Sequence, residues 1–191
     1  MEMKHTPISE GLVTIRESST EDTETILSVN RAAFGEEEEA RLVADLLADS
    51  SANPLLSLIA EVEGETVGHI LFTSLRLAPD EGLRATILAP MAVRPAFQRK
   101  GIGGSLIEAG KKTLSDRGFD FILVLGHPTY YPPYGFKPAG PYGFIKPFRE
   151  KAEPNDVCWM IHLLRDVIED TTPRKVICAS TLMKPEYWPG G

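Results

Sequence analysis

The sequence predicts a mixed α/β fold in which residues 1–191 form a single domain. Three observations predict it: a hairpin pattern in the first half of the chain, a strand–helix–strand unit in the middle, and two strand-like segments near the end. A chain of 191 residues is also long enough to bury one sizeable core.

The first half of the chain alternates short apolar runs with two stretches of helical pattern. In the second stretch Val43, Leu46 and Leu47 lie three or four residues apart, as on one face of a helix. The segment Glu63–Glu65 carries the glycine that a tight hairpin turn needs. The predicted elements are a strand at Leu12–Glu17, helices at about Glu21–Ala33 and Glu36–Asp49, and strands at Leu55–Val62 and Thr66–Leu77.

The middle of the chain holds the clearest strand–helix–strand unit. Arg84–Val93 predicts a strand, and Gly101–Arg117 predicts a helix with one apolar face that ends at Gly118. The run "FILVL" at Phe121–Leu125 is apolar without alternation, which is typical of a strand covered on both faces.

The last third of the chain carries a weaker pattern. Residues His127–Pro154 are rich in proline and glycine and predict mostly loop. Val157–Leu164 and Lys175–Leu182 predict two strands that close the sheet. We expect Trp159 and Trp188 to lie in the core or to cover it.

Composition and charge exclude several classes of function. The formal net charge is −7, so no excess of cations is present to bind nucleic acid, and a basic or amine-bearing substrate remains compatible with that charge. Cys158 and Cys178 predict buried free thiols, and no cluster has the spacing of a metal site. Neither a signal peptide nor a membrane-spanning run is visible, which favours a cytoplasmic protein with no membrane partner.

The turn between the fourth strand and the third helix has the composition of an anion site. In "LAPMAVRPAFQRKGIGGSL", Leu88–Leu106, a strand leads through Arg99 and Lys100 into three glycines at the start of a helix. The first turn of a helix has unpaired N–H groups and a partial positive charge, and glycines let a phosphate approach the backbone. The pattern therefore predicts a site for a diphosphate.

Three kinds of diphosphate site have such glycines, and two fit poorly. A Walker-type loop needs lysine after the last glycine, but Lys100 precedes Gly101. A dinucleotide-binding fingerprint needs a third glycine where Leu106 stands. Its glycines also follow a strand directly, whereas here "RPAFQRK" separates the strand from the glycines. A turn without any ligand is the remaining alternative.

The third kind of site is the acyl-CoA loop. "QRKGIG" at Gln98–Gly103 resembles the Gln/Arg-x-x-Gly-x-Gly/Ala pattern of the GNAT superfamily of N-acetyltransferases. "FDFILVLG" after the helix is similar to that family's fifth strand, and "YYPPYGF" at Tyr130–Phe136 is similar to its Tyr-x-x-x-Gly-Phe motif. The order of these segments covers Ile87–Phe136, and "AEVEGETVGHILF" before them looks like the family's second and third strands.

The resemblance implies a fold and a cofactor. The fold would be a mixed, mostly antiparallel sheet of six to seven strands, flanked by helices, in which the fourth and fifth strands splay apart. Acetyl-CoA would enter that gap, with no metal ion. Its pantetheine arm would pair with the backbone of Met91, Ala92 and Val93. The pyrophosphate would be wrapped by Gln98, Arg99, Lys100, Gly101, Ile102, Gly103 and Gly104.

The resemblance also implies catalytic residues. Tyr131 occupies the position of the family's general acid, but two prolines follow it where the family has a helix, so Tyr130 or Tyr134 could present the hydroxyl instead. The position of His127, just past the fifth strand and near the expected chemistry, makes it either a candidate base or a loop histidine bonded to the backbone. The acidic run Glu36–Glu39 either attracts an amine or only complements the helix dipole.

The function predicted from these residues is transfer of an acetyl group from acetyl-CoA to a primary amine, on a small molecule or a protein, by direct attack. A second hypothesis is a CoA-binding module without catalysis, and a third is a nucleotide-binding oxidoreductase. The sequence leaves the acceptor open, and it leaves open whether the protein is a homodimer.

Overall fold

The structure is a computed structural model that describes residues 13–168 and 170–188. The first residue of the predicted first strand, Leu12, and the N-terminal segment read for a signal peptide lie outside the described residues. Within the described ranges no helix is both long and apolar enough to cross a membrane.

Strands and helices follow one another much as the sequence predicts. The helices are α1 (Thr23–Phe34), α2 (Glu38–Ala48) and α3 (Ile102–Asp116). The strands are β1 (Val13–Glu17), β2 (Leu56–Val62), β3 (Glu65–Ala78), β4 (Ala85–Val93), β5 (Phe121–Leu125), β6 (Lys137–Pro138), β7 (Phe144–Ile145), β8 (Trp159–Leu163) and β9 (Arg174–Cys178).

All of these strands belong to one mixed sheet with the main order β1-β2-β3-β4-β5-β8-β6. The pairs β4–β5 and β7–β9 are parallel, and the other pairs are antiparallel. Two-residue strands β6 and β7 lie in the region predicted as loop. The last strand ends at Cys178 and a 3₁₀ turn follows at Ser180–Leu182, so the predicted strand Lys175–Leu182 is too long.

The hairpin between β2 and β3 confirms the predicted turn. Glu63 and Gly64 both have positive φ values, 52° and 82°, as a two-residue turn of type I′ requires. Gly118, with φ of 75°, ends α3, and the N–H of Phe119 donates to the carbonyl of Leu114 there.

The helices lie on opposite faces of the sheet. A Cβ atom on Gly68 of β3 would lie 3.0 Å from the side chain of Leu106 in α3. The next residue, His69, points to the other face and contacts Asn30 of α1, because successive strand residues alternate. Helix α3 therefore covers one face and α1 covers the other.

The C-terminal part of the chain covers the rest of the α1 face. Trp159 and Trp188 are 1% and 5% exposed, and their rings meet edge to face at 5.9 Å, which confirms that both belong to the core. Cys178 is buried as predicted, but Cys158 is half-exposed, because it lies in the loop just before β8 rather than in a strand.

Candidate active site

The sheet opens between β4 and β5. Their parallel pairing ends at Leu88 and Val124, although β4 continues to Val93. At the same point β4 contains a bulge, because Ala89 and Pro90 together oppose the single residue Leu71 of β3. A bulge bends the strand that carries it. The resemblance implied that these two strands splay apart, and they do so beyond Leu88.

The edge of β4 that faces this gap offers backbone groups. The N–H of Arg94 donates to the carbonyl of Val67 on β3 at 2.8 Å. In an antiparallel pair the direction of the backbone groups alternates, so those of Ala92 also face β3, and those of Met91 and Val93 face the gap. The Gln98 side chain confirms this direction, because its Nε2 donates to the Val93 carbonyl at 2.9 Å.

The turn after β4 leaves the start of α3 open. Arg99 and Gly101 both adopt left-handed conformations, with φ of 59° and 83°. Such strain in a non-glycine residue is common at ligand sites. The N–H of Ser105 is bonded to the Gly101 carbonyl, whereas the first turn of α3 has no side-chain cap and no acidic residue. Its first amides are therefore available to an anion.

A cavity of about 330 Å³ lies at this turn. It brings together seven of the predicted CoA-binding residues, in β4 and in the turn. Three others lie elsewhere: Ala92 and Ile102 are buried, and the Lys100 ammonium lies 5.3 Å from the centre of the Phe97 ring. The cavity is lined by Met91, Val93, Phe97, Gln98, Arg99, Gly101, Gly103, Gly104, Tyr130 and Tyr134.

Two tyrosine hydroxyls lie on the first turn of α3. A Cβ atom on Gly103 would lie 2.2 Å from the Tyr130 oxygen, and one on Gly104 would lie 2.6 Å from the Tyr134 oxygen. Both positions therefore require glycine, because a larger side chain would collide with a tyrosine hydroxyl. From the sequence, the glycines were expected to make room for a phosphate, because no pattern in the sequence places the tyrosines beside them.

Tyr131 lies between β5 and the 3₁₀ turn Pro132–Tyr134 and is not part of the cavity lining. Its ring packs on Gly126, where a Cβ atom would come within 2.3 Å of it, and it meets Phe136 edge to face at 5.5 Å. Only 9% of the residue is exposed. Burial raises the pKa of Tyr131 well above its ordinary value, and Tyr130 adds to the effect. The phenol is therefore protonated at neutral pH.

The prolines after Tyr131 form one 3₁₀ turn, Pro132–Tyr134, in place of a longer helix. Proline is tolerated in a first turn because its missing N–H would have no partner there, and Tyr131 keeps a helical conformation. Two side chains fix this turn: Lys111 Nζ donates to the Tyr134 carbonyl, and His162 Nδ1 to the Gly135 carbonyl, both at 3.0 Å. Burial lowers the pKa of His162.

His127 is exposed and lies one residue beyond Gly126. Its Nδ1 is 3.0 Å from the Thr129 hydroxyl.

The acidic run Glu36–Glu39 lies where α2 begins, with Glu38 and Glu39 in the first turn and Glu37 paired with Arg31. That placement matches the dipole-complementing alternative for this run. In the described part of the chain no three His, Cys, Asp or Glu side chains form a metal-binding group.

Comparison with known proteins gives a consistent picture. The model of the acetyltransferase (GNAT) family matches residues 21–130. The uncharacterized N-acetyltransferase YjhQ of Escherichia coli strain K12 is 46% identical over 145 residues, which cover 75% of this chain and 80% of that protein.

Two solved structures share the fold along almost the whole chain. The GNAT family protein YhbS of Escherichia coli, solved with CoA, superposes with a TM-score of 0.81 at 23% identity, covering 94% of this chain and 97% of that one. A GNAT family acetyltransferase of Brucella melitensis, solved with acetyl-CoA, gives a TM-score of 0.70 at 26% identity, covering 91% and 99%.

Proposed function

The chain belongs to the GNAT family of acetyltransferases, and from that premise we propose that it transfers an acetyl group from acetyl-CoA to a primary amine by direct attack. The Brucella melitensis relative solved with acetyl-CoA supports the choice of donor. The net charge of −7 supports an acceptor that is cationic before it reacts.

One observation carries this proposal: the same cavity touches the free edge of β4 and the uncapped first turn of α3. A thioester with an extended amide-bearing arm and a diphosphate needs both features. Met91 and Val93 offer strand-like hydrogen bonds to the arm. The amides of Gly103 and Gly104, with the Arg99 guanidinium, offer positive charge to the diphosphate.

Transfer forms one C–N bond and breaks one C–S bond. The lone pair of a neutral amine attacks the thioester carbon, and negative charge develops on the carbonyl oxygen. An amide N–H of Met91 or Val93, fixed in direction by the strand, stabilises that charge. When the carbonyl re-forms, the thiolate of CoA leaves with the electron pair of the C–S bond, and the nitrogen loses one proton.

Two side chains are assigned to the protons. Tyr131, buried beyond the end of β5 and protonated, donates its hydroxyl proton to the leaving sulfur. His127 takes the proton from nitrogen. In the structure the Thr129 N–H donates to Nδ1 at 3.4 Å, so Nε2 carries the hydrogen. To act as the base, the imidazole has to change to the other tautomer, in which Nδ1–H donates to the Thr129 hydroxyl and the lone pair of Nε2 is free.

Two measurements test the proposal. Calorimetry with CoA should show saturable binding, and acetyl-CoA mixed with a panel of primary amines should release free thiol in an amine-dependent way. Absence of CoA binding would remove the basis of the proposal. Binding without transfer to any amine would instead favour the non-catalytic CoA-binding module.

A further inference from the structure

The hydroxyls of Tyr130 and Tyr134 form a pair at the wall of the candidate cofactor cavity. Their ring centroids lie 5.8 Å apart, and the ring planes are tilted by 48° to each other. Each oxygen lies over one glycine of the first turn of α3, and both residues line the cavity. Tyr130 is 38% exposed, so a ligand can reach it.

A phenolic pair of this kind has a donor to spare. Two hydroxyls carry two protons, and a hydrogen bond between them would use only one of the two. The second proton is free to point into the cavity, at the positive end of α3, where an anion is favoured. Burial and the neighbouring Tyr134 raise the pKa of Tyr130 to about 12, so the Tyr130 hydroxyl stays protonated across the neutral range.

The position of the pair is fixed from outside the cavity. Lys111 donates a hydrogen bond to the Tyr134 carbonyl, and His162 donates one to the Gly135 carbonyl. The ring of Tyr130 also meets that of Tyr131 edge to face at 5.2 Å. A pair that is fixed before the ligand arrives loses little side-chain entropy on binding.

From this geometry we propose that Tyr130 and Tyr134 are positioning residues that donate a hydrogen bond to the diphosphate of CoA. The inference rests on the proposed function, because it names a contact within the same cofactor site. In this proposal Gly103 and Gly104 offer their amides to the diphosphate and also leave room for the two hydroxyls. The pair would then distinguish CoA from donors that lack the diphosphate.

The test compares two ligands on the intact protein: CoA and pantetheine, which has the same thiol arm without phosphate. The variants are Tyr130→Phe, Tyr134→Phe and the double variant, with Tyr142→Phe as the matched control outside the cavity lining. Loss of a hydrogen bond to a charged group should weaken CoA binding about ten-fold in the double variant. Pantetheine affinity should stay within about two-fold of wild type.

Each outcome decides one question. Unchanged CoA affinity in the variants, or an equal loss for CoA and pantetheine, would overturn the inference. Failure of the wild-type protein to bind CoA would overturn the proposed function instead. If the double variant does not fold, the single variants carry the test, since each keeps one hydroxyl and both rings.

Discussion

The hydroxyl oxygen of Tyr130 occupies the space that a side chain at Gly103 would need. A Cβ atom at that glycine would lie 2.2 Å from the oxygen but 3.5 Å from the ring carbon that carries it. The first distance is a clash and the second is an ordinary contact. The Tyr130 oxygen is therefore the atom that a side chain at position 103 would have to displace.

Substitution of both residues should reveal this relationship. Gly103→Ala should displace Tyr130 and weaken CoA binding more than ten-fold, because the first turn of α3 and the cavity wall both move. Gly103→Ala combined with Tyr130→Phe should recover most of that affinity, since the clashing atom is gone. The measurement is a double-mutant cycle on CoA affinity and melting temperature. Additive losses would contradict the contact.

Glycine at position 101 should be needed for the left-handed backbone conformation of the turn, and not because a side chain there would collide with a neighbour. Its φ is +83°, and nothing lies within 4 Å of a Cβ atom built there. Gly101→Ala should therefore cost about 1 kcal/mol of stability and also weaken CoA binding. Gly82→Ala is the matched control, with φ of +70° and open space, in the loop before β4. Equal CoA affinities in the two variants would contradict a role for the turn.

The sequence predicted most of the fold because its local signals agree with one another. The apolar runs of β2 and β3, the glycine turn at Gly64 and the helical pattern of α3 all correspond to observed elements. The short strands β6 and β7 were missed, since two-residue strands formed by long-range pairing leave no periodic signal.

The candidate site was predicted less completely. Glycines and cations at the start of α3 can be recognised from sequence, because helix termini have a fixed chemistry. Contacts between distant residues cannot be recognised in this way. Tyr130 lies 27 positions from Gly103 in the sequence. Lys111, in the third turn of α3, donates a hydrogen bond to the carbonyl of Tyr134. Only the folded chain shows that these groups meet.

Tyr131→Phe should separate chemistry from cofactor binding. Loss of the proton donor should lower kcat about 100-fold, whereas CoA affinity should change less than two-fold, because the proton is transferred only as the thiolate leaves. Steady-state kinetics and calorimetry on the same preparation measure the two effects, with Tyr142→Phe as control. An unchanged kcat would remove Tyr131 from the role of acid.

His127→Gln should test the candidate base. If His127 takes the amine proton, kcat should fall at least about ten-fold, and CoA affinity should stay as in wild type. Thr129→Val should give a smaller loss, because it removes only the hydroxyl that orients the imidazole through Nδ1. Full activity in His127→Gln would mean that the proton passes to water.

His69 is the centre of a buried polar group that joins α1 to the sheet. Asn30 Nδ2 lies 3.2 Å from its Nδ1 and Ser57 Oγ lies 3.0 Å from its Nε2, and the residue is fully buried. The amide N–H of Asn30 can only donate, so Nε2 carries the hydrogen and donates to Ser57. Burial lowers the pKa of His69 to about 3.

This buried imidazole should make stability depend on pH. The unfolded chain binds a proton at His69 below pH ~6.5, whereas the folded chain does not until about pH 3. The folded state therefore loses stability as the pH falls through that window, by up to about 1.4 kcal/mol per pH unit. His69→Gln removes the titration and offers one amide oxygen and one amide N–H in place of the two ring nitrogens. Urea unfolding at pH 7.5, 6.0 and 5.0 should thus show a shallower loss in the variant. The carboxylates and His162 contribute equally to both proteins, so parallel profiles would show that His69 is protonated in the folded state.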